Sequence, residues 1–166
     1  MKLIPLSKGR TTIVDDEDYD FLNQWKWSLG SGGRARRSGY KNDDTKTISM
    51  SRVIMNAPKD KYVDHINHNK LDNRKSNLRL CTNTENQYNM QSRRGTSRFI
   101  GVDFKKSFQK WRSRISVNGK RIELGYFDSE IIAAIFRDEA AKEHHGEFAN
   151  LNFPDEGDSS SIGAIL

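Results

Sequence analysis

The stretch that most constrains the fold of this chain lies in residues 61–90. Two short apolar segments, at 62–66 and 78–81, alternate in the way that half-buried strands do. Between them, residues 67–77 are too rich in Asn, Asp, Lys and Arg to enter a core. A threonine, at 82 or 84, then caps a short helix over 85–90. This order predicts a strand, a polar loop, a return strand and a helix.

An acid and a histidine stand side by side in the first predicted strand. Asp64 offers a carboxylate, and His65 offers a base whose ordinary pKa lies close to neutrality. A divalent cation together with such a base hydrolyses phosphodiesters efficiently, and Mg²⁺ prefers oxygen ligands. Because neighbours on a strand point to opposite faces, both side chains serve one site only if the backbone bends or the metal lies at a strand end.

The same segment carries a spaced set of polar residues: Val-Asp-His-Ile-Asn at 63–67, Asp-Asn-Arg at 72–74, Asn-Leu-Arg at 77–79, Glu85, Asn86 and Asn89. This pattern resembles the HNH nuclease family in its phage homing-endonuclease branch. The resemblance implies a ββα-metal fold, with Asp64 and Asn86 as ligands of Mg²⁺ or Mn²⁺ and His65 as the general base. It further implies that Asn77 holds the His65 ring and that Arg52, on a short helix ahead of the motif, contacts the scissile phosphate.

Other residues leave alternatives open. His68 is either a solvated loop residue or a phosphate contact. The arginines that follow a glycine-rich loop, Arg34, Arg36 and Arg37, are either surface residues or phosphate contacts. Cys81 is predicted to be a small buried residue. Because it is the one cysteine in the chain, it excludes an intramolecular disulfide framework and a Cys-rich zinc site.

The formal charge of +6 is unevenly distributed along the chain. Residues 95–125 hold eight Lys and Arg against two Asp and Glu, so this stretch carries as much net charge as the whole chain. Residues 126–166 hold two Lys and Arg against nine Asp and Glu. A concentrated basic stretch is typical of a polyanion binder, whereas an unevenly charged solvated surface is the alternative interpretation.

The basic stretch alternates in three segments and predicts a three-stranded sheet. The strands cover 100–104, 110–117 and 121–127, and Asn118-Gly119 forms the turn of the second hairpin. The strand-turn-strand order makes these strands antiparallel neighbours. One face of this sheet is then exposed and positively charged, a shape that fits the major groove of DNA.

A helix is predicted to cover the apolar face of this sheet. Ser129 caps it, and it runs to about His145, where Gly146 stops it. Its apolar residues at i, i+3, i+4 and i+8 predict one stripe that packs on the sheet: Ile132, Ile135, Phe136 and Ala140.

Four motifs in this stretch are Ile-Gly-Val at 100–102, Lys-Trp-Arg at 110–112, Leu-Gly-Tyr-Phe at 124–127 and Ala-Asn-Leu-Asn-Phe at 149–153. Through them the stretch resembles the AP2/ERF DNA-binding domain, which lays its three-stranded sheet in the major groove. Asp103 and Glu123 depart from the plant members, so the plant target sequence is not implied. The resemblance and the basic linker together suggest these DNA contacts: Lys105, Phe108, Lys110, Arg112, Arg114, Arg121, Glu123, Arg93 and Arg94.

The patterns together predict an α+β fold, in which a small ββα-metal HNH nuclease module precedes a three-stranded antiparallel sheet packed on one helix, as in AP2 domains. The predicted divisions are an N-terminal α+β part of the nuclease region at 1–60, the HNH motif at 61–92, a basic linker at 93–98, the DNA-binding domain at 99–154 and a disordered tail at 155–166.

No apolar run reaches the roughly 18–20 residues of a membrane span, and the N-terminal residues lack a secretory signal. We therefore expect a cytoplasmic protein, in the bacterial host cytoplasm if a phage encodes it. Its expected partner is double-stranded DNA, bound by a monomer or weak dimer, with no membrane and no small-molecule substrate.

The leading hypothesis is a site-specific, metal-dependent DNA endonuclease of the homing type. Since one site serves one strand per visit, the hypothesis includes a nickase. A DNA-binding regulator with an inactive HNH remnant is the alternative. A structural or RNA-binding protein is a third, and the chain lacks the aromatic stacking platform expected of a single-strand binder.

Overall fold

Two of the sequence predictions fall outside the part of the chain that the structure describes. They are the linker contacts Arg93 and Arg94 and the tail at 155–166. The structure is a computed structural model, and its described residues are 1–39, 47–89 and 96–154.

The chain divides into two units, Met1–Asn86 and Gln87–Leu166. Each unit has its own cluster of buried apolar side chains. Across the described residues, no helix has both the length and the apolar character needed to cross a membrane.

A β-hairpin opens the first unit. Strands β1 (Lys2–Pro5) and β2 (Thr11–Val14) pair antiparallel, and a 3-10 turn lies between them. Helix α1 (Asp16–Leu22) follows with three acids in its first turn, where the helix dipole favours negative charge. Val14 and Leu22 are both fully buried in the same apolar cluster, so the hairpin and the helix share one core.

A second small sheet completes this core. Strands β3 (Ser28–Leu29), β4 (Ala35–Arg37) and β5 (Ile48–Ser49) pair antiparallel, with β4 in the centre, and helix α2 (Met50–Ile54) follows directly. The buried Trp27 donates its indole N–H to a backbone carbonyl oxygen at 2.8 Å, which satisfies the one polar group it brings into the core. The cluster comprises Ile4, Leu6, Val14, Leu22, Trp27, Ala35 and Met50.

The strand, loop, strand and helix predicted from the polar segment are all present. Strand β6 (Tyr62–His65) pairs antiparallel with β7 (Leu78–Cys81), and helix α3 (Asn83–Tyr88) follows. Of the two candidate threonines, Thr82 caps the helix. Its hydroxyl oxygen accepts from Glu85 N at 3.2 Å, and the Glu85 carboxylate accepts from Thr82 N at 2.7 Å.

The second unit contains the predicted three-stranded sheet. Strands β8 (Val102–Lys105), β9 (Lys110–Val117) and β10 (Lys120–Phe127) are antiparallel, with β9 in the middle. Asn118 and Gly119 adopt positive φ angles of 51° and 76°, as the turn prediction requires.

The first strand of this sheet begins two residues later than predicted. Gly101 has a φ of 75°, and a Cβ at this position would lie 2.5 Å from the carbonyl oxygen of Arg114. The backbone of Gly101 therefore turns close under β9 before β8 begins, and only glycine fits there.

Helix α4 (Glu130–His145) has the predicted bounds, but it packs with a different face. The predicted packed stripe is wrong, because Ile132, Ile135 and Phe136 are 46%, 42% and 53% exposed. The buried face consists instead of three alanines and three polar residues: Ala133, Ala134, Ala141, Arg137, Asp138 and His145. Alanine lets a helix approach a sheet more closely than a large side chain does, and this close approach turns the larger residues outward.

Asp138 on α4 fastens the chain that follows the helix. Its buried carboxylate accepts from Asn152 N at 2.7 Å, from Asn152 Nδ2 at 3.0 Å and from Phe153 N at 2.9 Å. Arg137 pairs with the same carboxylate at 3.1 Å and also donates to the carbonyl oxygen of Asn150. The buried carboxylate of Asp138 thus has several hydrogen-bond donors, as a buried charge requires.

His145, the last residue of α4, is buried in the second unit. Its ring stacks on Tyr88 at 3.7 Å between centroids, and its Nε2 lies 2.9 Å from the carbonyl oxygen of Ser116. Burial lowers the pKa of His145 from its ordinary value of 6.5, the contact with Ser116 opposes this, and the charges of Arg137 and His144 add to the decrease.

We expect the second unit to lose stability as the pH falls from 6.5 through the lower pKa of folded His145. The folded state disfavours the proton, so the unfolded state binds it more readily over that range, and the stabilisation present above pH 6.5 is lost. Urea unfolding at stepped pH, monitored by hydrogen exchange of β9, measures this. His145→Gln should flatten the profile, whereas His144→Gln, at an exposed neighbour whose charge contributes least to the decrease, should flatten it far less. Equal profiles for His145→Gln and the parent chain would contradict the assignment.

Candidate functional site

The polar loop between β6 and β7 is held by strand β2 of the N-terminal hairpin. Ile13 N donates to the carbonyl oxygen of Leu71 at 2.8 Å, and Asn73 N donates to the carbonyl oxygen of Ile13, also at 2.8 Å. The loop therefore runs beside β2 as a short parallel partner, with an isolated bridge between Ile13 and Asp72.

This loop does enter the protein interior, contrary to the sequence prediction. Asp72, Asn73 and Asn77 are only 3%, 1% and 6% exposed. Their side chains are buried because hydrogen bonds satisfy them. Asp72 accepts from Asn67 Nδ2 at 3.0 Å and from Arg74 at 2.6 Å and 2.8 Å. The prediction from composition that this loop stays outside the core was wrong, because polar side chains can be buried when each has a hydrogen-bond partner.

His65 is the last residue of β6 and is 3% exposed. It thus lies at a strand end, and a metal placed at that end of β6 is one of the two arrangements in which His65 and Asp64 can serve one site. Its Nε2 lies 3.2 Å from Asn73 Oδ1. Burial lowers the pKa of His65 from its ordinary value of 6.5, and the charge of Arg34 acts in the same direction. The contact with Asn73 and the charges of Asp64 and Asp72 oppose the decrease without cancelling it. His65 is therefore neutral at neutral pH and can accept a proton.

Asp64 is buried on the neighbouring position of β6, and Arg79 lies directly opposite it on β7. The Arg79 guanidinium contacts Asp64 Oδ2 through Nε at 3.0 Å and through Nη2 at 2.8 Å. Sequence reasoning matched Arg79 to the motif without giving it a role. The pairing of Arg79 with Asp64 could have been predicted from the register of the two strands, because residues directly opposite each other share a face of the sheet.

Asn86 lies on the first turns of α3 and is half-buried. A carboxylate from Asp64 and an amide oxygen from Asn86 are hard oxygen donors of the kind that Mg²⁺ accepts, so the two residues fit such an ion by their chemistry. Within 1–39, 47–89 and 96–154, no group of three or more His, Cys, Asp or Glu side chains could hold a metal. A metal here would need water and phosphate oxygens as further ligands.

Asn77 has different contacts from those predicted. Its Oδ1 accepts from Asn67 N at 3.0 Å, and its Nδ2 donates to the carbonyl oxygen of Asp72 at 2.8 Å. These bonds close the loop on itself. Asn73 contacts Nε2 of the His65 ring, and sequence reasoning gave this residue no role although the motif contains it.

Arg52 is also engaged elsewhere than at a phosphate. Its guanidinium donates to the carbonyl oxygens of Lys61 at 2.6 Å, Ala57 at 3.0 Å and Pro58 at 2.7 Å. These three bonds hold the segment that leads from α2 into β6, so the structure supports a structural role for Arg52. Its contact with a scissile phosphate stays a prediction.

Cys81 is buried, as the sequence predicted. Burial, together with the nearby charges of Asp64 and Glu85, raises the pKa of its thiol to about 11.

The outer face of the second unit's sheet carries the predicted charged residues, and they are paired with one another. Asp103 lies opposite Arg112 in the register and contacts it at 3.0 Å. The same carboxylate contacts Arg114 Nε at 3.3 Å and Lys105 Nζ at 3.3 Å. Glu123 contacts Arg112 from the other side at 3.5 Å. The two acids that depart from the resemblance therefore hold the arginines in place.

A β-bulge in β10 adds an aromatic residue to this face. The register shifts between Glu123 and Gly125, which places Tyr126 opposite Arg112. The Tyr126 hydroxyl donates to Glu123 Oε2 at 3.0 Å, and its ring contacts Phe108 at 4.9 Å between centroids. Phe108 itself is 60% exposed. Strict alternation along β10 could not reveal this placement, because one extra residue reverses the faces beyond it.

The remaining predicted contacts lie at the periphery of the sheet. Arg121 is exposed near the start of β10, opposite Ser116. Lys110 begins β9 and contacts Asp128 at 3.3 Å. These cations remain more accessible than Arg112, which two carboxylates flank.

A family model described as HNH endonuclease matches residues 56–88. The chain is similar to an uncharacterized HNH endonuclease of Acanthamoeba polyphaga mimivirus, with 33% identity over 157 residues that cover 90% of this chain and 79% of that protein. It is also similar to "Protein 3.8" of Escherichia phage T7, with 36% identity over 96 residues that cover 57% of this chain and 78% of that protein. No solved structure matches the chain.

Proposed function

Because the chain belongs to the HNH endonuclease family and is a DNA nuclease, we propose that it is a site-specific, metal-dependent endonuclease of the homing type. The observation that carries this proposal is His65, a buried, neutral base at the end of β6 beside the carboxylate of Asp64. Family membership also favours an enzyme over a DNA-binding regulator with an inactive remnant.

In the proposed reaction, His65 takes a proton from the attacking water as the new phosphorus–oxygen bond forms. The bond between phosphorus and the 3′ oxygen breaks, and that oxygen takes a proton from solvent to become a 3′-hydroxyl, while the other end keeps a 5′-phosphate. Arg79 holds the Asp64 carboxylate in a single orientation. A divalent cation held by Asp64 and Asn86, Mg²⁺ or Mn²⁺, would neutralise the charge that develops on the phosphate. One such site acts on one strand at a time, so a nick is the primary product.

The sheet of the second unit is proposed to position the enzyme on DNA in the manner of an AP2 domain. Support comes from its architecture, three antiparallel strands covered on one face by a helix, and from the cations on the other face. The separation of a cutting part from a positioning part by a basic linker at 93–98 belongs to the same proposal, although the two units of the structure divide earlier, between Asn86 and Gln87. Because Asp103 and Glu123 depart from the plant AP2 members, the proposal does not include the plant target sequence.

The direct test is cleavage of supercoiled plasmids and of phage genomic DNA with Mg²⁺, and again with EDTA in excess. We expect nicked or linear products only with the metal, with ends that map to a small set of sites. DNA that is bound but never cut, with either Mg²⁺ or Mn²⁺, would contradict the proposal. Cleavage at scattered positions would contradict site specificity alone.

Replacing Arg114 by alanine should weaken binding of the mapped target DNA by about 1–3 kcal/mol, if this side chain reads a base from the sheet. Loss of a base contact relaxes sequence preference but leaves the salt dependence of binding nearly unchanged. Titrations of target and unrelated DNA at several salt concentrations measure both effects. Arg98→Ala is the matched control, since it removes one exposed cation of the same unit before β8 begins. Equal losses in the two variants would contradict a base contact.

A further inference from the structure

Three buried polar side chains from separate segments form a line that ends at His65. Thr12 lies on β2, Asn73 lies in the loop, and His65 ends β6; they are 0%, 1% and 3% exposed. Thr12 Oγ1 lies 2.8 Å from the carbonyl oxygen of Leu71 and 2.7 Å from Asn73 Nδ2. Asn73 Oδ1 lies 3.2 Å from His65 Nε2.

The chemistry of these groups determines which atom donates and which accepts in every hydrogen bond of the line. A carbonyl oxygen only accepts, so the Leu71 carbonyl takes the single hydroxyl proton of Thr12. With that proton committed, the Thr12 oxygen can only accept in its second contact. The amide nitrogen of Asn73 must therefore face Thr12, and its oxygen must face the histidine. An oxygen at that position accepts, so His65 Nε2 carries a proton.

The opposite orientation of the Asn73 amide is unfavourable. It would place Oδ1 against the Thr12 oxygen at 2.7 Å, with no proton left to lie between them. A buried hydrogen bond would be lost and two acceptors would repel each other. The same flip would turn the amide N–H groups toward His65 Nε2 and favour the tautomer with the proton on Nδ1.

From this geometry, we propose that Thr12 is a positioning residue that selects the Nε2–H tautomer of His65 through Asn73 and so leaves Nδ1 as the nitrogen that takes the proton from water. The inference rests on the proposed role of His65 as the base. Thr12 lies outside the residues 56–88 that the family model matches, and 61 positions separate it from Asn73.

Nitrogen NMR of the His65 ring tests the tautomer without any cleavage. In the parent protein at neutral pH, we expect the pattern of a neutral ring protonated at Nε2. A ring protonated at Nδ1 in the parent protein overturns the proposal, and this measurement depends on no variant. If the NMR pattern shows the proton on Nε2 but the protein never cuts DNA, the hydrogen bonds from Thr12 to His65 are supported and the proposed function is contradicted.

Substitutions at Thr12 test the step through Asn73. Thr12→Val keeps the shape but removes the hydroxyl, so we expect a mixture of both tautomers and a fall of about 10- to 100-fold in the single-turnover cleavage rate, with unchanged affinity for DNA. Thr12→Ser restores the hydroxyl and should rescue both readouts. Thr11→Val, at the exposed neighbour on β2, is the matched control and should change neither. A Thr12→Val protein that keeps the pure Nε2–H pattern overturns the proposal.

Discussion

Replacing His65 by alanine should lower the rate of DNA cleavage by about 10²–10⁴-fold, the usual contribution of a positioned general base. The ring is buried, its lowered pKa favours the neutral form, and Asn73 contacts its Nε2, so the substitution removes the proposed proton acceptor itself. DNA affinity should stay unchanged, because the contacts proposed to hold DNA belong to other residues. Single-turnover cleavage of the mapped target, together with equilibrium binding, measures the two effects separately.

His68→Asn provides the control for this substitution. His68 lies three residues after His65, in the loop that follows β6, and has a φ of 63°, which asparagine tolerates better than alanine. We expect this variant to cut at the parental rate if His68 is a solvated loop residue. A reduced rate would place it at the phosphate. Normal cleavage by His65→Ala would show that the base has been assigned to the wrong residue.

Replacing Asp138 by alanine should destabilise the second unit by about 3–5 kcal/mol, because it leaves the buried guanidinium of Arg137 without its counter-charge. Three N–H groups of Asn152 and Phe153 lose their acceptor in the same step. The segment after α4 should then detach at lower denaturant than the sheet. Hydrogen exchange of β9 and of residues 150–153, followed across a urea series, measures both events.

Glu139→Ala is the matched control for Asp138→Ala. Glu139 is the next residue on α4, its side chain is 68% exposed, and its ion pair with Lys142 lies at the surface. Exposed pairs of this kind contribute at most about 1 kcal/mol. A loss of stability from Asp138→Ala no larger than that from Glu139→Ala would contradict the fastening role of the buried carboxylate.

Local patterns in the sequence predicted the elements of the fold well. The Asn118-Gly119 turn, the Ser129 cap and the Gly146 stop depend on a few neighbouring residues, and all three are present. The packed face of α4 was predicted wrongly. Which face of α4 is buried depends on how closely the helix approaches the sheet. That separation depends in turn on Gly101 and on the alanines of the helix together.

The site was predictable only in part, for a related reason. Asp64 and His65 carry their chemistry in their residue types and in a recognisable motif. The partner of Asp64, Arg79, follows from strand register, which composition does not give. Thr12 is beyond any local pattern, since a threonine on a short strand has no feature that marks it as a neighbour of Asn73, 61 positions away.

The hydrogen bonds from β2 to the loop also bear on how portable the nuclease motif is. The family model spans 56–88, yet the backbone groups of Leu71 and Asn73 find their partners on Ile13. A fragment limited to the motif would expose these groups to water and lose the strand that orders them. We therefore expect that transplanting the cutting activity into another protein requires the hairpin at the beginning of the chain to travel with it.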